Sequence, residues 1–135
     1  MNKLQLIKPL EKTIKKGHPW IFRDALEHFS IPAGEEVSIL SEDGNFCCKG
    51  LIDDGPIGVR VYSLKENLIN KDLFSDRLHK SFNKRKELIN KSTNAVRLCH
   101  GESDFLPGLI IDKYDTYAVM YFDGNSLEPH KETIF

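Results

Sequence analysis

The residues in this chain best suited to chemistry lie together near position 100: Gly101, Glu102, Ser103 and Asp104, then Pro107-Gly108, then Asp112. Two carboxylates flanking a hydroxyl are raw material for acid–base work or for hydrogen-bond anchoring. Glycine reaches positive φ and proline fixes φ, so Gly101 and Pro107-Gly108 place these acids in a loop between two apolar runs. A second cluster, Lys15-Lys16-Gly17-His18-Pro19-Trp20, sets two ammonium groups and an imidazole beside an aromatic ring. That combination suits phosphate contact with base stacking. It equally suits a small core, because strand alternation puts Trp20 and Phe22 on one face and tryptophan is mostly buried; the core reading is favoured. Cys47-Cys48 and Cys99 form an odd set without metal-ligand spacing. Neighbours on a strand point to opposite faces, so no disulfide joins the adjacent pair, and a reducing cytosol is expected. Asp53-Asp54 lacks a third local oxygen donor and reads as a pair of solvated turn residues rather than metal ligands.

The elements that must position these groups follow from pattern. Of 135 residues 40% are hydrophobic and 29% charged, which suits a soluble globular chain rather than a disordered one. No apolar run approaches the roughly 20 residues of a membrane helix, and no membrane partner is expected. The N-terminus has no signal-peptide core. The net charge of −1 hides segregation. Residues 1–23 carry Lys3, Lys8, Lys12, Lys15, Lys16 and Arg23 against Glu11 alone; 24–64 are acidic, 65–91 basic and 92–135 acidic. Because screening confines fields to about 8–10 Å, local basic patches on a neutral chain can still engage phosphates.

Residues 4–8 read as a strand ended by Pro9, and residues 25–28 as a short helix. Residues 37–41, 46–52 and 57–62 read as strands, joined through Asp43-Gly44 and then Asp53-Asp54-Gly55-Pro56. This predicts a meander rolled into a small barrel. Between 71 and 91 the spacing turns helical, with Phe74, Leu78, Phe82 and Ile89 in a stripe beside Leu73 and Leu88. Asn70 is the expected N-cap, and Lys84, Arg85, Lys86 and Lys91 form a basic end that could meet RNA but is favoured as a solvated face. Residues 96–99, 109–112 and 117–122 read as a second β region. Ser126 is the expected N-cap of a last helix with Leu127, His130, Lys131 and Ile134 on one face, breaking off at Phe135 as its apolar face is being established.

The run 97–114, with Gly101-Glu102-Ser103-Asp104, Leu106-Pro107-Gly108-Leu109 and Asp112, resembles the signature of large-subunit ribosomal RNA cytosine-C5 methyltransferases. Gly17-His18-Pro19-Trp20-Ile21-Phe22, Ile57-Gly58-Val59-Arg60 and Leu73-Phe74-Ser75-Asp76-Arg77-Leu78, with Arg85 beyond, are similar to further motifs of that family, in the same order through about residue 122. Phe105 departs from the family's usual glycine, which implies a stiffer and more apolar loop. The resemblance implies an α+β fold: a PUA-like β pseudo-barrel over residues 1–66, then a helix and an incomplete second antiparallel β region over residues 70–135. It also implies RNA, ribosomal RNA in particular, as partner, met by Lys15, Lys16, His18, Arg23 and Arg60. S-adenosylmethionine is implied for the full-length family. No strand–glycine loop–helix cradle for it stands in this sequence, and Cys47, Cys48 and Cys99 do not match the family's nucleophile. The expectation is a cytoplasmic RNA-binding portion without cofactor or methyl transfer of its own. Its rivals are a piece of a longer active enzyme, or a module that pairs with another chain or a second copy. By motif order, Glu102 and Asp104 are expected to anchor their loop through its amides, not to act as a base pair.

Overall fold

The computed structural model describes residues 2–88 and 95–135, with the side chain of Leu88 excepted. Five strands make the first sheet: β1 (Asn2–Gln5), β2 (Trp20–Phe22), β3 (Glu36–Leu40), β4 (Phe46–Ile52) and β5 (Ile57–Ser63). Their order is β1-β3-β4-β5-β2. The two predicted turns do form β3–β4–β5 as an antiparallel meander. The N-terminal strand instead lies parallel to β3, with Leu4 opposite Ile39. Beyond β1 and β2 the chain closes the sheet on itself. Leu6 bridges Leu26, the Ile7 amide donates to the Ala25 carbonyl at 2.8 Å, and the Glu27 amide to the Gln5 carbonyl at 3.1 Å. That closure makes the expected pseudo-barrel.

Its interior is apolar: Leu4, Leu6, Ile14, Ile21, Val37, Ile39, Cys48 and Val59 are all buried. Helix α1 (Glu11–Lys15) inserts Ile14 into this core. Both adjacent cysteines are buried and unpaired, because β4 is a central strand covered on both faces. The aromatic prediction fails by phase. β2 does alternate, but Ile21 takes the inner position at 0% exposure, leaving Phe22 exposed and Trp20 half-buried. A three-residue strand carries too few positions for pattern to choose its inner face.

A second cluster holds Leu51 and Tyr62 of the barrel together with residues from the rest of the chain. Helix α2 (Lys71–Lys84) begins as predicted, the Asn70 side chain accepting from the Leu73 amide at 3.2 Å. It buries Leu73, Phe74 and Ser81, with Leu78 partly buried and Phe82 at its exposed edge. Ile89 and Lys91 of the predicted stripe lie outside the described residues. The second sheet is a plain meander, β6 (Ala95–His100), β7 (Leu109–Tyr114) and β8 (Tyr117–Phe122). Its inner face contributes Cys99, Leu109 and Ile111, while Tyr114, Tyr117 and Tyr121 remain exposed.

The chain ends in a 3-10 turn (Glu128–His130) and the short helix α3 (Lys131–Ile134), burying Leu127 and Ile134 as predicted. Ser126 does not cap it. Its hydroxyl is buried and has no hydrogen-bond partner among the described residues, and the turn starts beyond it at Leu127. Instead the His130 Nε2 meets the Gly34 carbonyl at 2.9 Å, tying this end to the barrel.

Candidate nucleic-acid interface

The motif loop sits on the barrel rather than in a cleft of its own. Arg60, projecting from β5, is 3% exposed and is met from three directions. Its Nε donates to Asp53 Oδ2 at 2.8 Å, Nη1 to Glu102 Oε1 at 3.4 Å and Nη2 to Asp123 Oδ2 at 3.3 Å. Arg60 was expected to contact RNA; burial among three carboxylates removes it from any phosphate. Asp53, expected in solvent, is 2% exposed and also accepts from the Asp54 and Asn125 amides at 2.8 and 3.0 Å. Burial by itself raises its pKa, but the Asn125 amide, Arg60 and the Asp54 amide outweigh that and hold the carboxyl low. Gly124 turns with φ +76° hard against this pair, where any Cβ would collide with the Asp53 carboxylate.

Glu102 is the loop's hinge pin. Its Oε1 accepts from Trp20 Nε1 at 3.1 Å, from the Gly108 amide at 3.2 Å and from Arg60. Asp104 is clamped on the other side by Arg85, which donates from two nitrogens at 3.1 and 2.8 Å, and by Lys84. It also accepts from the His100 amide at 2.6 Å. Desolvation pushes Asp104 up, yet Arg85, Lys84 and this amide hold it at about 2. The helix end expected to be a solvated basic face is thus partly spent on the loop. Ser103 donates to the His100 carbonyl at 2.7 Å, and Tyr62 donates to the Pro107 carbonyl at 2.5 Å. Asp112 forms a two-toothed pair with Arg97 at 2.7 and 3.1 Å, which lowers its pKa. Gly101 and Gly108 take positive φ, +47° and +88°. The motif acids therefore anchor, as the sequence predicted. The loop amides are joined in that task by distant cations and by Trp20, which the sequence did not show.

Between barrel, α2 and this loop runs a groove of about 620 Å³, floored by Val61, Tyr62 and Pro107 and edged by His18, Lys65 and Arg77. His18 is exposed; its Nδ1 lies 2.9 Å from the Trp20 carbonyl, and its ring stands edge-on to the indole. Lys15 is exposed and paired with Glu11 at 2.8 Å. Lys16 is exposed at the end of α1. Arg23 is half-buried, donating to the Gly55 and Asp53 carbonyls and lying over the Phe29 ring, so it serves the barrel wall. Of the predicted basic set, then, Lys15, Lys16 and His18 stay accessible.

Sequence reasoning did not single out Arg77, Lys65 or Lys80. Arg77 donates to the Phe105 carbonyl at 2.7 Å, and burial lowers its pKa against the opposing pull of Tyr62 and Asp76. Phe105 itself is 71% exposed and holds φ +59°, ψ +30°, the left-handed region. That conformation explains why glycine suits the position, and a phenylalanine there costs about 1–2 kcal/mol. The departure from glycine was the visible signal; its left-handed backbone was not.

Arg60 thus joins two sheets, one closed and one open, and defines a PUA-like barrel with a second α+β region docked on it. Comparison with known proteins agrees. Residues 4–64 match the family model of the PUA-like domain. Over 92% of its length the chain is 33% identical to the ribosomal RNA large subunit methyltransferase I of Pseudoalteromonas translucida, covering 33% of that protein. For the Vibrio cholerae protein of the same name the figures are 30% identity, 97% and 34%. Two solved structures, a candidate SAM-dependent methyltransferase from Streptococcus mutans and a candidate methyltransferase complexed with SAH, share the fold at TM-scores of 0.87 and 0.88. Each is 21% identical, and the match covers 99% of this chain and 36% of theirs. The chain is similar over most of its length to the large-subunit ribosomal RNA methyltransferases I, carries a PUA-like domain at residues 4–64, and spans about a third of the length of the curated relatives it matches.

Two outcomes test this seam. Arg60→Met strands the buried Asp53 and is expected to cost about 3–5 kcal/mol in urea unfolding, part of it regained in the Arg60→Met/Asp53→Asn double variant; an unchanged midpoint for the single variant contradicts the buried hub. Asp104 has a folded pKa below its unfolded value, so its stabilisation is complete above about pH 4 and is lost as pH falls toward about 2. Asp104→Asn should flatten that acid limb and cost about 2–3 kcal/mol at neutral pH, read by melting temperature against pH.

Proposed function

We propose that this chain is an RNA-binding portion of a cytoplasmic ribosomal RNA cytosine-C5 methyltransferase, and that it holds RNA along the groove between barrel and motif loop. The observation that carries the reading is the groove's chemistry on a PUA-like domain: exposed His18 and Lys65 line it with Arg77 and Phe105, and exposed Lys16 stands next to Gly17 of its rim. Lys16 and Lys65 form no ion pair among the described residues. Of the groove's acids, Asp76 is paired with Lys80 at 3.0 Å, while Glu102 and Asp104 are bonded as above. The local field is therefore set by the cations, whatever the net charge. No helix among the described residues is long and apolar enough to cross a membrane.

In this reading the chain alone transfers no methyl group. Attack on a pyrimidine C6 needs a thiolate. Cys47, Cys48 and Cys99 are buried, and burial raises the Cys99 thiol to about 11. S-adenosylmethionine binding and the nucleophile are assigned to the part of the longer relatives that this chain does not match.

Phosphate contacts make affinity fall with salt, with a slope of about −0.7 per neutralised phosphate on single strands. Single-stranded RNA should bind the full chain at low salt and lose about tenfold or more in affinity between about 50 mM and about 200 mM salt. The Lys16→Glu/Lys65→Glu variant should bind weakly with a shallower slope. Binding that ignores salt, or a variant that matches wild type, would count against the groove.

A further inference from the structure

Phe105 is unexplained by folding. It is 71% exposed, contributes little to either core, and sits in a backbone conformation that a side chain disfavours. The surroundings over-determine that conformation: the Phe105 amide donates to the Glu102 carbonyl at 3.1 Å, its carbonyl accepts from Arg77, and the Leu106 amide donates to the Gly101 carbonyl at 3.1 Å. Strained residues held in place by their surroundings cluster at sites that use them. Of the two benzene-type rings lining the groove, Tyr62 is buried at 3% with its hydroxyl committed to Pro107, so Phe105 offers the larger free face, beside the smaller exposed His18 imidazole.

We infer that Phe105 is a stacking platform for one unpaired nucleobase of an RNA strand whose phosphates run past Lys16, Lys65 and Arg77. The proposal rests on the groove being the RNA site and goes beyond it by separating two jobs. Cations on the barrel and on α2 supply salt-dependent, sequence-independent attraction. A phenyl ring supplies a salt-independent grip that only a splayed base can use, because paired bases inside a duplex present no free π-face. Arg77 serves both, since its guanidinium lies in the groove while its bond to the Phe105 carbonyl holds the platform's backbone in place.

The test uses the full chain, fluorescence anisotropy with a single-stranded RNA and with a blunt RNA duplex, and the variants Phe105→Leu, Phe105→Gly and Phe105→Trp. Leu and Gly should weaken single-strand binding about 5- to 100-fold, the range of one base–aromatic stack. The salt slope should be unchanged, because no phosphate contact is lost. Trp should match or exceed wild type, and duplex affinity should not move. A 2-aminopurine in the strand should be quenched by wild type and Trp but not by Leu. Phe105→Gly should melt no lower than wild type, since the backbone strain is relieved, which separates lost binding from lost folding. If wild type binds with a steep salt slope and all variants match it, the stacking inference falls and the groove reading stands. If weakening comes with a shallower slope, Phe105 acts by placing cations, and the inference again falls. If wild type binds no RNA, both fall.

Discussion

The buried ion pair of Arg60 with Asp53 is the constraint from which the rest of the arrangement follows. Removing two charges from water costs several kcal/mol each, and the pair is tolerable only where the remaining hydrogen-bonding directions are filled. Local sequence cannot fill them. Glu102 and Asp123 reach Arg60 from 42 and 63 positions away, and the Asn125 amide reaches Asp53 from 72. The barrel thus carries an unfinished polar site that the motif loop and the turn after β8 complete. Gly124 and Gly108 belong to the same requirement, since the turn must come so near the pair that a Cβ has no room or little. A pair of this kind adds less to net stability than to specificity: it fixes where the second sheet may dock.

That docking decides what the motif does. Glu102 binds barrel residues on one side, and Asp104 binds the end of α2 on the other. One short 3-10 turn, Gly101–Asp104, therefore holds three structural bodies in register. Carboxylates so committed are poor proton carriers, and the low pKa of Asp104 says the same in another form. The motif's spacing fits this geometry: Gly101 starts the turn, Glu102 and Asp104 diverge from it, and Pro107-Gly108 returns the chain to β7.

How much of this was legible in the sequence differs by kind. The β3–β4–β5 meander, the Asn70 cap and the second three-stranded sheet were legible because turn residues and periodicity are local. The failures share one cause: the deciding partner is remote. Arg60 and Asp53 looked like surface groups because the carboxylates that complete their site, Glu102 and Asp123, stand 42 and 63 positions from Arg60. Trp20 looked like core because pattern gives a period but not a phase, and Ile21 won the inner place. The parallel seat of β1 beside β3 depends on barrel closure through Leu6 and Leu26, which no turn signal announces. Ser126 looked like a cap because its type suits one, yet the helical turn begins one residue later.

A chain with a net charge of −1 can still grip a polyanion if its acids are spent inward and its cations outward. Here Asp53, Glu102 and Asp104 are drawn into the seam by Arg60, Trp20 and Arg85, while Lys65 is left exposed in the groove and Lys16 exposed beside its rim. In the proposed reading, fold and interface are therefore one electrostatic arrangement. Arg60 was misread as a ligand contact because it is basic and stands in a family motif. Its part is to take the carboxylates out of the field, and that leaves the neighbouring lysines able to act.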